Sequence, residues 1–246
     1  MKLYKNILEI FLLTMILGQV PSVYATSITV KDYGVVINQE QIQNELENMI
    51  TLNEILTIIH KPFMTLEESM NEQIKLFDKD IHSIKKVKII TNNCYLTYED
   101  LSFLNYLELE HIDLSLSNCE NNTIPKYSFS ENKTLKTFVL PNSLQYIEEN
   151  AFAECSNLKG TLFIPENVLY IGDFAFAGCG YNAFSLPKHF TTIPKGFANR
   201  WINLKKLNIE KQIDTIEELA FIGTNIEELN IDTEKTLNIK GEIFGE

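Results

Sequence analysis

"IEENAFAECSNL" spans residues 147–158, and "IGDFAFAGCGYN" spans residues 171–182. Each places Ala-Phe after an acidic turn and before a cysteine, and the second begins 24 residues after the first. Aligned on the aromatic, Phe129, Phe152, Phe176, Phe197, Phe221 and Phe244 are separated by 23, 24, 21, 24 and 23 residues. An isoleucine precedes each by four or five positions: Ile124, Ile147, Ile171, Ile193, Ile216 and Ile239. Upstream of these lie short apolar segments, "LKTFVLP", "TLFIP", "AFSLP", "LKKLNIE" and "IEELNID". A unit this short cannot bury its own apolar edge, so such units stack on one another into a solenoid.

The segments read as strands. In the first, Leu135, Phe138 and Leu140 form the inward apolar set. Pro141, Pro165 and Pro187 follow their strands, where they end pairing without removing a needed donor. Gly172 and Gly178 sit at bends. Cys155 and Cys179 hold equivalent places on neighbouring coils and are expected to stack as small buried hydrophobes. A disulfide between coils needs a geometry that stacking seldom supplies.

A period of 20–29 residues with an L-x-x-L-x-L strand is the leucine-rich-repeat pattern. Within it, "LPNSLQYIEENAFAECSNLKGTLFIPENVLYIGDFAFAGC" resembles the BspA-type leucine-rich repeats of bacterial surface proteins. Upstream, "IKKVKII" and "LTYEDLSFLNYLELEHIDLS" resemble the region that leads into such arrays. The likeness runs over residues 83–246 and departs from the pattern at "FANRWIN", residues 197–203. There Arg200 stands at the cysteine position and one residue is extra, and in the next copy Thr224 takes that position. The resemblance implies a leucine-rich-repeat solenoid, a β-rich α/β repeat in a right-handed coil, with a small N-terminal helical or mixed cap. It also implies adhesion or protein binding.

The first 25 residues carry Lys2 and Lys5, an apolar run from Ile10 to Leu17, and small residues at Val23 and Ala25. That is the pattern of a secretory signal, too short for a stable membrane span. Glu9 beside the apolar run is its one irregularity. With no cysteine near the cleavage point, no lipid anchor is expected there. The expected organisation is a signal peptide over 1–25, a cap region over 26–82 and the array over 83–246. The product would be exported: secreted, periplasmic or at the cell surface, with no membrane span in the mature chain. The whole chain carries a net charge of −12, and without residues 1–25 it has 19 basic and 32 acidic residues, a net of −13. Such a surface repels phosphate backbones and argues against nucleic acid as a partner.

Within the cap region, Ile42, Leu46, Met49 and Ile50 fall on one helical face that Leu56 and Ile59 continue. Thr51 and Glu54 make a capping box that would divide this into two helices. "TLEESMNEQIKLFDKDI" is a further helix candidate. The economical reading is a cap over the first coil's apolar edge.

Signatures of chemistry are missing. There is no nucleotide loop, G-x-S-x-G elbow or H-E-x-x-H, and the four histidines have no mutual metal-ligand spacing. His82 and Cys94 would meet at a zinc ion only by an accident of folding, and "DKD" at 78–80 lacks the rest of a calcium loop. Neither a cofactor nor a metal is expected, and the chain reads as no enzyme. A hydrolase is the weakest alternative.

What remains is the outward side of the stacked strands. Lys85, Lys86 and Lys88 lie over Glu110, His111 and Asp113, and Lys205 and Lys206 over Glu227 and Glu228. On strands about 4.8 Å apart these become favourable cross-strand pairs, so the charge alternation has a structural explanation. Val139, Thr161 and Phe163 differ, because stacking does not require outward apolar residues in mid-sheet. Together with Trp201, read as a loop anchor in the irregular repeat, they are the candidate binding residues. The reading is a secreted or cell-surface module for a protein or cell-surface ligand. The alternative is a structural or assembly component of the bacterial envelope without a host ligand. The last strand, around Leu229 and Ile231, and the residues Leu237, Ile239, Ile243 and Phe244 present an apolar edge, with weak end-to-end self-association as the expectation.

Overall fold

The computed structural model describes residues 27–30, 35–38, 55–75, 80–232 and 236–245. The expected signal segment and the expected helical face over Ile42–Ile50 lie outside these. Strands β1 (Ser27–Val30) and β2 (Val35–Asn38) pair antiparallel, with Ser27 opposite Asn38. From β3 (Leu56–His60) onward every ladder is parallel, the only sense in which successive coils of a solenoid can stack.

Along one wall run β3, β4 (Lys86–Thr91), β5 (His111–Leu116) and β7 (Thr137–Val139) as a four-stranded sheet in that order. The same wall continues as β9 (Thr161–Phe163) with β11 (Ala183–Ser185), then β13 (Lys206–Ile209) with β15 (Glu228–Ile231). A second wall is made of two-residue strands. β6 (Thr123–Ile124), β8 (Tyr146–Ile147) and β10 (Tyr170–Ile171) form one sheet. β12 (Thr192–Ile193), β14 (Thr215–Ile216) and β16 (Asn238–Ile239) form the other. The six isoleucine landmarks close these six strands, and all but Ile239 are buried.

The first coils carry helices where later ones carry turns. α1 (Leu66–Ile74) joins β3 to β4, and α2 (Tyr98–Tyr106) joins β4 to β5. Each opens with a reciprocal capping box, Thr65 with Glu68 and Thr97 with Asp100, which satisfies orphan amides of the first turn. α1 lies within the segment expected to be helical. The continuation of the earlier helical face through Leu56 and Ile59 is corrected, because these residues belong to β3. Leu56, Ile58, Ile59 and His60 are all buried, a pattern that neither a helical nor an alternating strand period describes.

The inner column of phenylalanines forms as the spacing implies, with one shift. Phe129, Phe152 and Phe176 stack at centroid separations of 5.3 Å and interplanar angles of 9° and 5°. Phe221 and Phe244 stack at 5.8 Å. In this column three aromatic amides donate to the carbonyl that precedes the next column residue: Phe129 to Ala151, Phe152 to Ala175, Phe221 to Ile243. By the same bond, Ala198 donates to Ala220, so Ala198 and not Phe197 occupies the column. Phe197 sits one place earlier and meets Phe176 edge-on at 72°.

That shift reassigns the cysteine position. Cys155 donates its thiol to the Phe129 carbonyl at 3.0 Å, and Cys179 to the Phe152 carbonyl at 3.2 Å. Trp201 Nε1 donates to the Phe176 carbonyl at 2.7 Å, the next acceptor in the series. Trp201, not Arg200, therefore replaces the cysteine, and the extra residue in this coil disappears. A larger side chain at 201 is balanced by a smaller one at 198, which keeps the coil filled. Arg200 falls instead on a column of left-handed residues with Glu131, Glu154, Gly178 and Gly223, at φ of 58° to 69°. The Glu154 carboxylate lies over Gly178 and pairs there with the Arg200 guanidinium from two coils away. All four cysteines are free thiols. Burial pushes Cys179 well above the ordinary thiol range and Cys119 up to about 12.

Candidate binding surface

The outward charges pair between coils as their order implies. Lys88 meets Asp113 at 3.1 Å, Lys136 meets Glu110 at 2.7 Å, Lys205 meets Glu227 at 2.8 Å and Lys206 meets Glu228 at 2.6 Å. These columns consume their own charge and leave little for a ligand.

Between β7 and β9 the wall is interrupted. β5 and β7 are in register, with His111 opposite Thr137 and Asp113 opposite Val139. β9 and β11 are likewise in register, with Thr161 opposite Ala183 and Phe163 opposite Ser185. Where a β7–β9 ladder would run, a lone bond at its start joins the Lys159 amide to the Lys136 carbonyl at 3.2 Å. The cause is legible in the chain. One residue, Lys136, separates Leu135 from Thr137, whereas two, Lys159 and Gly160, separate Leu158 from Thr161. Gly160 takes up the extra residue at φ +84°, a backbone state other residues adopt only with strain. No heavy atom lies within 4 Å of where its side chain would begin, so the residue bulges into open space.

The interruption opens a groove of about 340 Å³, with Thr137, Val139, Thr161 and Phe163 along it. Val139 is 41% exposed and Phe163 is 71% exposed. Three of the four residues singled out by sequence thus come together at one place. The fourth does not join them. Trp201 is 0% exposed, packed against Tyr181, Phe184 and Phe197 with its N–H satisfied, so its reading as a surface anchor is corrected. An indole that fills an interior slot has no face to offer a partner.

His82 and Cys94 are not joined. His82 lies edge-on to Tyr106 at 6.3 Å, whereas the Cys94 thiol donates to the His60 carbonyl at 3.3 Å. No group of three or more His, Cys, Asp or Glu among the described residues is arranged to hold a metal ion. No helix among them is long and apolar enough to cross a membrane.

A larger concavity, about 560 Å³, lies over the first coils. It sits between the β3–α1 turn, which carries Phe63, and the β4–α2 turn, which carries Tyr95. Phe63 has φ +65° and is fully exposed. Its backbone state has no signature in "HKPFMT", because the left-handed region is normally announced by glycine or asparagine. An aromatic in a polar turn after Pro62 was the one available sign.

A family model described as the BspA-type leucine-rich-repeat region matches residues 122–246 in six copies. No curated protein and no solved structure matches the chain. The matched span begins after β5, and the coils before it are joined to it by the parallel β5–β7 ladder.

Proposed function

This chain belongs to the BspA-type leucine-rich-repeat family, and from that membership we propose that it is a protein-binding module whose ligand engages the groove between β7 and β9. The observation that carries the reading is Phe163, a large apolar side chain standing in water where a glycine insertion parts the edges of β7 and β9. A groove with an apolar lip, two threonine hydroxyls and strand backbone alongside suits an extended segment of another protein. Stacked coils of this kind serve typically as binding scaffolds rather than as enzymes.

The signal pattern of residues 1–25 and the family's usual setting at the cell surface support export, with adhesion as the role.

The test uses the chain from residue 26 as bait in extracellular-matrix and envelope extracts, beside Phe163→Ser and Val139→Ser. The reading requires a retained protein that both variants release while their unfolding midpoints stay at the wild-type value. Retention unchanged by either substitution would exclude the groove. A partner drawn from envelope rather than matrix extracts would favour a role in envelope assembly over adhesion.

A further inference from the structure

The concavity over the first coils carries the carboxylates Glu67 and Glu99, whereas the groove on the β7–β9 wall has no acidic side chain along it. Its frame is rigid. Asp100 accepts from the Leu66 amide at 2.8 Å, from the Thr97 amide at 3.0 Å and from the Thr97 hydroxyl at 3.0 Å. One buried carboxylate thus ties together the starts of α1 and α2, the two helices that flank the cavity. His60 stands beside it, its Nε2 3.8 Å from Asp100 and its Nδ1 3.3 Å from the Ser69 hydroxyl. Burial lowers the pKa of His60 and favours the neutral imidazole at pH 7.

Upon this frame the cavity presents Tyr95 and Phe103 as aromatic lining and Glu67 and Glu99 as exposed carboxylates. The one lysine along it, Lys61, is already paired with Glu72 at 2.9 Å. The site is therefore aromatic and negative. At its edge stands Phe63, fully in water on a left-handed backbone that a bulky side chain adopts only at a cost. Nothing in the fold is gained by that cost, since a wholly exposed side chain packs on nothing.

We propose that this concavity is a second binding site, which takes an arginine side chain from a protein partner, with Phe63 as the apolar anchor beside it. A guanidinium is planar and weakly hydrated, so it lies against aromatic rings while its N–H groups reach carboxylates at the rim. The cavity supplies both. Lysine fits less well, because its compact ammonium cannot use ring and carboxylate together over the same span. The site is separate from the groove on the β7–β9 wall, and its occupation does not depend on that groove's ligand.

Acetyl-Gly-Arg-Gly-amide and its citrulline counterpart, which has the same shape without the charge, discriminate these readings when titrated into the ¹⁵N-labelled chain from residue 26. The arginine peptide should shift amides in segments 63–67 and 93–103 saturably. The citrulline peptide should bind about tenfold more weakly or worse, as loss of a charge-assisted contact implies. Glu67→Gln combined with Glu99→Gln should weaken the arginine peptide similarly and flatten its salt dependence. Phe63→Gly should keep the fold, melt at or above the wild-type temperature, and bind the arginine peptide less well. Equal affinity for the two peptides, or no saturable shift in those segments, overturns the proposal. So does collapse of the fold in Phe63→Gly, which would make Phe63 a structural residue.

Discussion

Replacing Trp201 by cysteine tests the coil in which sequence and structure part company. The indole is wholly buried against three aromatic rings, the nearest being Tyr181 at 5.3 Å. A tryptophan buries up to about 250 Å², which at about 25 cal/mol/Å² bounds its burial near 6 kcal/mol. Truncations of buried tryptophan to alanine cost about 3–5 kcal/mol. Trp201→Cys belongs near 3 kcal/mol on that scale, since a thiol can still donate to the Phe176 carbonyl as Cys155 and Cys179 do to theirs. Trp201→Ala leaves that carbonyl unpaired and should cost about 1 kcal/mol more. The triple variant Phe197→Ala, Ala198→Phe and Trp201→Cys rewrites the coil in the style of its neighbour, where Ala175, Phe176 and Cys179 hold these positions. It should recover about 1–3 kcal/mol of the single variant's loss, the coupling usual for residues in contact. Urea unfolding followed by far-ultraviolet circular dichroism reads all three. Trp201 is the sole tryptophan, so wild-type fluorescence should also be blue-shifted and shielded from iodide. A loss below about 1 kcal/mol for Trp201→Cys, or a triple variant no better than the single, would refute the assigned register.

Gly180→Ala should cost more than Gly160→Ala. A side chain at 180 would begin 2.3 Å from the Ser156 carbonyl oxygen, backbone that cannot step aside, while one at 160 meets nothing and bears only its positive φ, so the first should exceed the second by about 1 kcal/mol or more in unfolding free energy. Acidification should destabilise the fold. Burial lowers the folded pKa of His60 and of His111 below their ordinary value of 6.5, so the unfolded chain binds more protons and stability falls as pH drops from above 6.5 toward the folded values. A melting series from pH 8 to pH 5 checks this, and His60→Gln should flatten the slope. The four thiols should appear reduced by intact mass and unreactive toward iodoacetamide in the native state at Cys119, Cys155 and Cys179, whereas a linked Cys155–Cys179 peptide would contradict the stack.

Spacing alone was enough to read the stacking. Phenylalanine and isoleucine recurring at one distance require equivalent places on successive coils, whatever those coils look like, and lysines over acids then pair. The pattern also identified Val139, Thr161 and Phe163, since an outward apolar residue in a strand is visible from alternation. Gly160 was equally visible in the chain, but only the tertiary fold made it an opening, by denying β9 its ladder with β7.

Elsewhere the information was not local. With apolar residues at both 197 and 198, spacing cannot decide which enters the column, and the volume of Trp201 against its neighbours does. Left-handed turns at Tyr127, Phe174 and Leu219 carry no glycine to announce them, because the hydrogen bonds between coils hold them there. Leu56–His60 reads as the tail of a helical face until β4 lies alongside it. Its backbone then bonds to a strand 31 residues away in register, with Leu56 opposite Val87. Repetition is a property of the chain and can be counted in it. Register, handed turns and cavities are decided by which side chains fill the space between coils, and that competition exists only once the coils are stacked.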